Sequence, residues 1–376
     1  MQAFWTQTAN FADGVSLLKP MPPLELSLMD RPTGKALIID RSKQHQEILG
    51  FGGAFTEAAA LNWRSLTKAD QDEVIRLYFS SPEEGGLGYT LGRVPINSCD
   101  FGPGDPLRTY SFDNVSGDVE LKHFDDSVSH DVQSGMIPMI LAAQAAVVAA
   151  GQSLTMFASP WSPPAWMKLP AGEPAERSMV RTATPNGLDP QYQRSYAHYF
   201  SRFISAYARH GIDLWGASQP HATSPQQPRP PLNQQILARA DPLFTCLRLE
   251  LEPGVTVQNE PEAADVGWEK CLYTPQYQAQ FVRDHLGPVL RAEQPGVKII
   301  GFDHNKDHVV EWAKGLYADP AAAQYFDGIG VHWCAVATAA FACRTRAQQR
   351  LPHASRARGL CSLVWCAGTA ASTCTT

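Results

Sequence analysis

Residues 297–333 read VKIIGFDHNKDHVVEWAKGLYADPAAAQYFDGIGVHW, and their pattern decides the fold class. The apolar run VKIIGFD predicts a buried strand, VVEWAKGLY has the spacing of an amphipathic helix, and FDGIGVHW predicts a second strand. Two strands joined through a helix run parallel, because the helix carries the chain back to the end at which the first strand began. This stretch therefore predicts one unit of a parallel α/β fold.

The same alternation extends towards the N-terminus as far as about residue 47. Helical patterns occur in SLTKADQDEVIRLYF, where Thr67 and Asp70 nearly match a capping box, and in YQRSYAHYFSRFISAYARHG, which has one aromatic face. The strands end in FGGAFT, RVPI, FASPW, QNEP, GFDHN and GVHW, which gives about six βα units. The fold class is therefore α/β, either doubly wound or a (β/α)8 TIM barrel that stops short of its eight units.

A first segment that breaks the alternation is 217–254, ASQPHATSPQQPRPPLNQQILARADPLFTCLRLELEPG. It is rich in Pro and Gln and has no sustained periodicity, so it is predicted to be an unstructured insert. When its flanks are joined they read GIDLWGVTVQNEPE, which is a helix stop, a strand and an acidic turn. We interpret the segment as an unspliced intron; the alternative is a loop specific to this lineage.

The second such segment is the tail 334–376, which contains five Cys and neither Asp nor Glu. Hydrophobic periodicity also ends where this segment begins, so it is predicted to be irregular and disordered. A shifted reading frame would explain the abrupt change of composition. A genuine disordered tail is the alternative.

Charge and hydropathy exclude several classes of protein. The formal net charge is −6, and no dense run of Lys and Arg precedes the tail, so nucleic-acid binding is not expected. No apolar stretch reaches the roughly eighteen residues that a membrane span needs. The N-terminus lacks a basic segment followed by an apolar block, so no ordinary signal peptide is visible. Either the chain is not secreted or its true start is missing.

Neither a metal nor a nucleotide cofactor is predicted. The eight cysteines form no CxxC pair and no Cys/His set with zinc spacing, and unpaired thiols are expected. In GFGGAF, Phe55 stands where a dinucleotide fingerprint needs its third glycine, and no P-loop lysine follows. A tight bend at the first strand explains these glycines better.

The main candidate for chemistry is Glu260 in the run VTVQNEPE. It follows a predicted strand and precedes Pro261, and active sites of barrels lie at the C-terminal ends of the strands. A carboxyl group there is a candidate acid catalyst, and the neighbouring Asn259 could hydrogen-bond a sugar hydroxyl. An ordinary surface Glu in a βα loop is the alternative interpretation.

Other strand ends carry polar and aromatic side chains that suit the same use. Carboxylates bind hydroxyl groups and indole faces stack on sugar rings, so the set favours a carbohydrate ligand. Each residue alone could instead be a loop cap or a satisfied core residue. The set consists of Asp100, Trp161, Asp303, His332 and Trp333.

Four motifs in one order carry a family resemblance. With GFGGAFTEAAALNW, RVPINSCDF, FASPWSPPAWMK and VQNEPEA, the chain resembles the glucosylceramidases of glycoside hydrolase family 30, from roughly Leu24 to Trp333. The resemblance implies a (β/α)8 barrel with a flanking β domain. Residues 1–46 are then a remnant of the flanking β region, and 47–333 an incomplete barrel.

The resemblance also assigns roles to residues. Glu260 matches the general acid/base of the family, and His332 and Trp333 match the HW of an HWY motif whose Tyr is replaced here by Cys334. The predicted substrate-binding positions are Asn259, Asp100, Trp161, Arg93, His332 and Trp333.

A retaining glycosidase needs a second carboxylate, as nucleophile, about 5 Å from the first. The family has this Glu on its seventh strand, but no acidic residue follows Trp333 here. Asp100 and Asp303 lie at other strand ends and are poor substitutes, because attack demands accurate placement. The nucleophile is therefore absent, and we expect the chain as written to be inactive. The first and sixth strands are each expected to leave an open edge.

The resemblance implies hydrolysis of the β-glucosidic bond of glucosylceramide, in sphingolipid metabolism, with retention of configuration and no cofactor. It also implies a lysosomal or secreted protein with access to lipid at a membrane surface, and one Asn-Val-Ser sequence at Asn114 agrees with that route. The expected ligand is glucosylceramide or a related β-glucoside, and no partner protein is predictable. Two alternatives stay open: a family-30 β-glycanase acting on polysaccharide, and a non-catalytic protein that binds carbohydrate or lipid.

Overall fold

The computed structural model describes most of the barrel region and the backbone of five short strands outside it. The described residues are 42–43, 48–102, 109–171, 177–214 and 254–332, with strand backbone at 2–3, 6–7, 19–20, 24–25 and 361–365. Predicted features that fall outside these residues are Trp333, almost all of the insert 217–254 and most of the tail.

The N-terminal unit, residues 1–45, contains two antiparallel strand pairs. Strand β1 (Gln2–Ala3) pairs with β4 (Leu24–Glu25), and β2 (Thr6–Gln7) pairs with β3 (Lys19–Pro20). Strands are thus present in the segment that the resemblance assigns to a flanking β region. That assignment stays a prediction.

The second unit, residues 46–376, is built on one parallel sheet. Its strands lie in the order β11-β10-β9-β8-β7-β6-β5, so neighbours in the sheet follow one another along the chain. Six of them confirm the six predicted βα units. The bounds are β5 (Gly52–Ala54), β6 (Leu91–Ile96), β7 (Thr155–Pro160), β8 (Gly254–Thr256), β9 (Lys298–Asn305), β10 (Phe326–His332) and β11 (Cys361–Trp365).

Strand β11 differs from what the sequence predicts. It lies in the tail, for which no regular structure is expected, and it pairs in parallel with β10 from Gly328 to His332. The sixth predicted strand, β10, is therefore not an edge of the sheet. The run CSLVW has a strand-like composition, but the Cys- and Arg-rich sequence around it hides the signal.

In the part of the chain that the structure describes, the sheet is open, as the incomplete barrel predicts, because β5 and β11 are its two edges and do not pair with each other. An apolar groove of about 440 Å³ lies beside β5, lined among others by Phe55, Trp63 and Tyr78. In a closed barrel a further strand and helix would cover such a face.

Helices connect the strands and pack on the sheet. Thr67 caps the helix Lys68–Phe79. Its hydroxyl accepts a hydrogen bond from the Asp70 N–H and donates one to the Asp70 carboxylate at 2.7 Å, which confirms the predicted cap. The predicted aromatic face of the helix Gln193–Arg209 is confirmed too, since Tyr196, Tyr199, Phe203 and Tyr207 are fully buried in the core. The helices are α1 (Glu57–Ser65), α2 (Lys68–Phe79), α3 (Ser129–Ser134), α4 (Met136–Ala149), α5 (Gln193–Arg209), α6 (Pro275–Phe281), α7 (Gly287–Glu293), α8 (Val309–Tyr317) and α9 (Pro320–Ala323).

The chain already pairs with β7 at a residue that precedes the insert. Leu214 forms a parallel bridge with Met156 of β7, and Gly254 pairs with the next residue of β7, Phe157. Residues on either side of 215–253 thus occupy consecutive places along the same strand. Gly254 is predicted to be the last residue of the insert, but it is the first residue of β8.

Candidate active site

Five side chains from five successive strands meet at the C-terminal half of the sheet. Four of them come from near the C-terminal ends of parallel strands, the position from which barrel enzymes build their sites, and Arg93 comes from the middle of its strand. The strands β6 to β10 contribute, in order, Arg93, Ser159, Thr256, Asp303 and His332.

The carboxylate of Asp303 is the centre of this group and is buried. Its Oδ2 accepts hydrogen bonds from Arg93 Nη2 and from Thr256 Oγ1, both at 2.7 Å, and its Oδ1 lies 3.0 Å from His332 Nε2. Burial alone would raise the pKa of Asp303, but the Arg93 charge and the bonds from His332 and Thr256 hold it far below its usual range. Asp303 is thus a permanent anion whose two oxygens are both engaged.

Arg93 is buried and fixes the residues that flank the catalytic candidate. Its Nε donates to Ser159 Oγ at 2.9 Å, and its Nη2 also donates to Asn259 Oδ1 at 2.8 Å. The guanidinium carbon lies 4.7 Å from the centre of the Trp161 ring. A planar guanidinium makes such bonded and stacked contacts together, which lysine could not do.

Glu260 stands on a strained turn after β8. Its φ is +49°, a region that non-glycine residues rarely adopt. Its N–H donates to the Asp303 carbonyl at 3.0 Å, and its own carbonyl accepts from the Ala263 N–H at 3.0 Å. These two bonds hold the turn, and strain of this kind clusters at functional sites. The side chain is 24% exposed, so a ligand can reach it.

His332 bridges the two carboxylates. Its Nδ1 lies 3.2 Å from Glu260 Oε1, while Nε2 faces Asp303. Burial lowers the pKa of His332, but the bonds to Asp303 and Glu260 outweigh this and raise it to about 9. The ring is therefore an imidazolium near neutral pH and donates from both nitrogens. Burial raises the pKa of Glu260, yet the bond from His332 brings it below its ordinary value.

Asp100 and Trp161, predicted from the strand ends, lie on the same site. The Trp161 indole lies close enough to the carboxyl group of Asp100 to lower the pKa of that group, against the larger effect of burial. Asp100 is exposed as a residue, but the surrounding protein and the charges of Glu260 and Glu269 raise its pKa to about 6. An acid with a raised pKa beside an indole face is suited to hydrogen-bonding a sugar hydroxyl.

Among the predicted residues, the structure brings together Arg93, Asp100, Trp161, Asn259, Glu260, Asp303 and His332, and their roles stay predictions. Thr256 and Ser159 were missed, because a Thr or Ser inside a strand carries no sequence signal of its own. His304 was missed as well; its Nε2 lies 3.9 Å from Glu262 Oε2, and burial lowers its pKa.

Over the described ranges, no three His, Cys, Asp or Glu side chains are grouped as a metal site. None of the helices seen there has the length and hydropathy to cross a bilayer.

The bridge made by His332 predicts a pH dependence of stability. The pKa of His332 is about 9 in the folded chain and exceeds its ordinary value of 6.5. The contribution of His332 to the free energy of unfolding is therefore complete below pH 6.5 and is lost as pH rises through about 9. The raised pKa corresponds to a contribution on the order of 3 kcal/mol. We expect the free energy of unfolding in urea to fall over this window in the parent chain and to stay flat in His332→Gln.

A matched control for this measurement is His308→Gln. His308 pairs with Glu262 at 3.0 Å, but its side chain is 55% exposed, so the pair contributes little. The parent pH dependence should survive in this variant. An equal fall in the parent chain and in His332→Gln would contradict the assignment.

Comparison with known proteins identifies the family and the fold of the chain. Residues 48–235 and 250–354 match the Glycosyl hydrolase family 30 TIM-barrel domain. The chain is 32% identical over 302 residues to the putative glucosylceramidase 3 of Caenorhabditis elegans, covering 79% of this chain and 47% of that protein. It is 30% identical over 304 residues to the lysosomal acid glucosylceramidase of Mus musculus, covering 80% of this chain and 48% of that protein.

Among solved structures, SrfJ from Salmonella typhimurium superposes with a TM-score of 0.57 at 29% identity, over 77% of this chain and 51% of that one. The chain spans about half the length of the curated relatives it matches. The resemblance drawn from its motifs is confirmed: the chain belongs to glycosyl hydrolase family 30, with the TIM-barrel fold of that family left open at β5 and β11.

Proposed function

We propose that this chain carries the acid/base half of a retaining β-glucosidase site directed at glucosylceramide. The observation that carries the proposal is the group of Glu260, His332, Asp303 and Arg93 at adjoining strand ends. The glucosylceramidase names of relatives at 30–32% identity support the substrate class.

In this proposal Glu260 donates a proton to the glycosidic oxygen and later takes one from water, as the acid/base of a retaining enzyme does. His332 holds its carboxylate in place, and Asp303 keeps the imidazole oriented and charged. Asn259, Asp100 and Trp161 bind the sugar. Because His332 keeps the pKa of Glu260 low, an acidic compartment favours the protonated form that the first step needs.

In this proposal no residue of the chain serves as the nucleophile. Asp303 cannot serve, since both of its oxygens accept hydrogen bonds inside the protein. No Asp or Glu follows Trp333 in the 376 residues. We therefore propose that the chain as written binds but does not turn over a β-glucoside.

The alignment of both flanks with β7 supports the proposal that nearly all of 217–254 does not belong to the mature protein. Leu214 and Gly254 both pair with β7, and Gly216 would take the place of Gly254 when DLWG is joined to VTVQ. Sequencing of the transcript tests this. We expect a spliced message that joins DLWG to VTVQ and continues beyond GVHW in another frame, with a Glu codon in the following strand. A mature transcript encoding the present 376 residues would overturn the proposal and favour a non-catalytic binding protein.

The substrate is tested with the protein encoded by the repaired message. We expect hydrolysis of glucosylceramide in detergent micelles and none of β-1,6-glucan or xylan. Cleavage of the polysaccharides alone would show a β-glycanase instead. A lysosomal or secreted location is part of the proposal and is supported by the lysosomal relative.

A further inference from the structure

The loop between β6 and α3 holds the single Asn-X-Ser/Thr sequence of the 376 residues, Asn114-Val115-Ser116. The candidate active site makes no use of it. The preceding residues are tied into the core, since the Phe112 N–H donates to the Tyr199 hydroxyl at 2.7 Å. The sequence is thus presented by a loop whose base is fixed.

The chain passes from the core to the surface at one residue. Asp113 is buried, and its carbonyl accepts a hydrogen bond from Trp166 Nε1 at 3.0 Å. The next four residues, 114–117, are all exposed. Asn114 is therefore the first exposed position after an anchored stretch, and its side chain stands on a defined turn.

The amide group of Asn114 can be substituted without loss of its contacts. Its Nδ2 donates to the Ser111 carbonyl at 3.1 Å, and its Oδ1 accepts from Ser111 Oγ at 2.8 Å. An Asn amide has two N–H donors, and attachment of a sugar to Nδ2 replaces one of them. The other N–H and the carbonyl oxygen remain to make both bonds.

There is room for a large group around this turn. Gly117, at φ +80°, has no atom within 4 Å of the position that a Cβ would take. Val115 and Val119 on the same loop are 44% and 48% exposed, which leaves two apolar side chains in water beside Asn114. A hydrophilic oligosaccharide there would cover them.

A second asparagine provides an internal contrast. Asn97-Ser98-Cys99 has Cys where an acceptor sequence has Ser or Thr, and Asn97 is completely buried. Its Nδ2 donates to the Ser162 carbonyl at 3.0 Å, and its Oδ1 accepts from the Tyr199 hydroxyl. A glycan at that position has no space.

We propose that Asn114 is a modification site that carries an N-linked oligosaccharide. The inference rests on the secretory or lysosomal route proposed above, because the modification is made on chains that enter that route. It does not depend on catalysis.

The test is expression of the full 376-residue chain behind a cleavable secretory leader in cultured animal cells. Treatment with peptide N-glycosidase is expected to increase the mobility of the processed chain by one glycan and to convert Asn114 to Asp in its peptide mass. Asn114→Gln and Ser116→Ala should each abolish the shift, and Ser116→Thr should keep it. The glycan is added while the chain enters the secretory route, so a variant that folds poorly still reports.

The proposal would be overturned if the chain shows no mobility shift on enzyme treatment although its leader has been cleaved. A shift that persists in Asn114→Gln would do the same. Neither result concerns Glu260, so failure here is distinct from failure of the proposed hydrolase function.

Discussion

Replacing Arg93 by alanine is expected to destabilise the folded chain by about 3–5 kcal/mol, the usual cost of removing one partner of a buried ion pair. Arg93 and Asp303 have side-chain exposures of 5% and 4%, and their atoms Nη2 and Oδ2 lie 2.7 Å apart. Without the guanidinium, Asp303 retains Thr256 and His332 but loses its closest full charge. The bonds from Arg93 to Ser159 and Asn259 are lost as well. Urea unfolding at pH 7 measures the effect.

The matched control for Arg93 is Arg76→Ala. Arg76 pairs with Glu73 on the surface of α2, with the side chains 42% and 51% exposed, so little change in stability is expected. The double variant Arg93→Ala/Asp303→Asn should recover part of the loss, because it removes the uncompensated anion. An Arg93→Ala chain as stable as the Arg76→Ala chain would show that the buried pair contributes nothing.

The second large effect is on rate. Against an aryl β-glucoside, we expect the 376-residue chain to be at least about 10⁴-fold slower in kcat than the protein from the repaired message, as for other enzymes that lose a nucleophile. Under the proposed function Glu260 supplies a proton, but the carboxylate that would form the glycosyl-enzyme intermediate is missing. A colorimetric assay with long incubation measures the difference.

Two variants sharpen this measurement. In the repaired protein, Glu260→Gln should remove most of the activity, since the amide cannot act as the acid. In the 376-residue chain, the same change should leave the background unaltered. Turnover by the 376-residue chain within tenfold of the repaired protein would contradict the missing nucleophile, and its sensitivity to Asp100→Asn would then identify the substitute.

The sequence predicted the repeated units of the fold well, because each strand and helix has its own hydrophobic period. The six strands β5 to β10 and the aromatic face of α5 follow from local pattern alone. Strand β11 did not, since its pairing with β10 is a tertiary contact made by a short run in a segment of unusual composition. The limits of β8 also differ: the regular strand ends at Thr256, and the chain reaches Glu260 through a turn.

The sequence could predict where the site residues lie, but not which of them form hydrogen bonds with one another. Parallel strands place their C-terminal ends side by side, so the nearness of Arg93, Asp303 and His332 could be expected from the alternation. Which nitrogen of His332 faces which carboxylate depends on strand register and on the turn at Glu260, and neither has a sequence signal. His332 is predicted to bind sugar, and that role stays a prediction; the structure adds that both of its ring nitrogens face carboxylates.

The bridged group at the strand ends also has a consequence for how the proposed ligand would bind and leave. Two cations, Arg93 and His332, stand against two anions, Asp303 and Glu260, so the charges of these four side chains balance one another. Under the proposed function, an uncharged glucosyl ring would therefore contact these paired side chains without separating a cation from its anion, and would leave them paired when it departs.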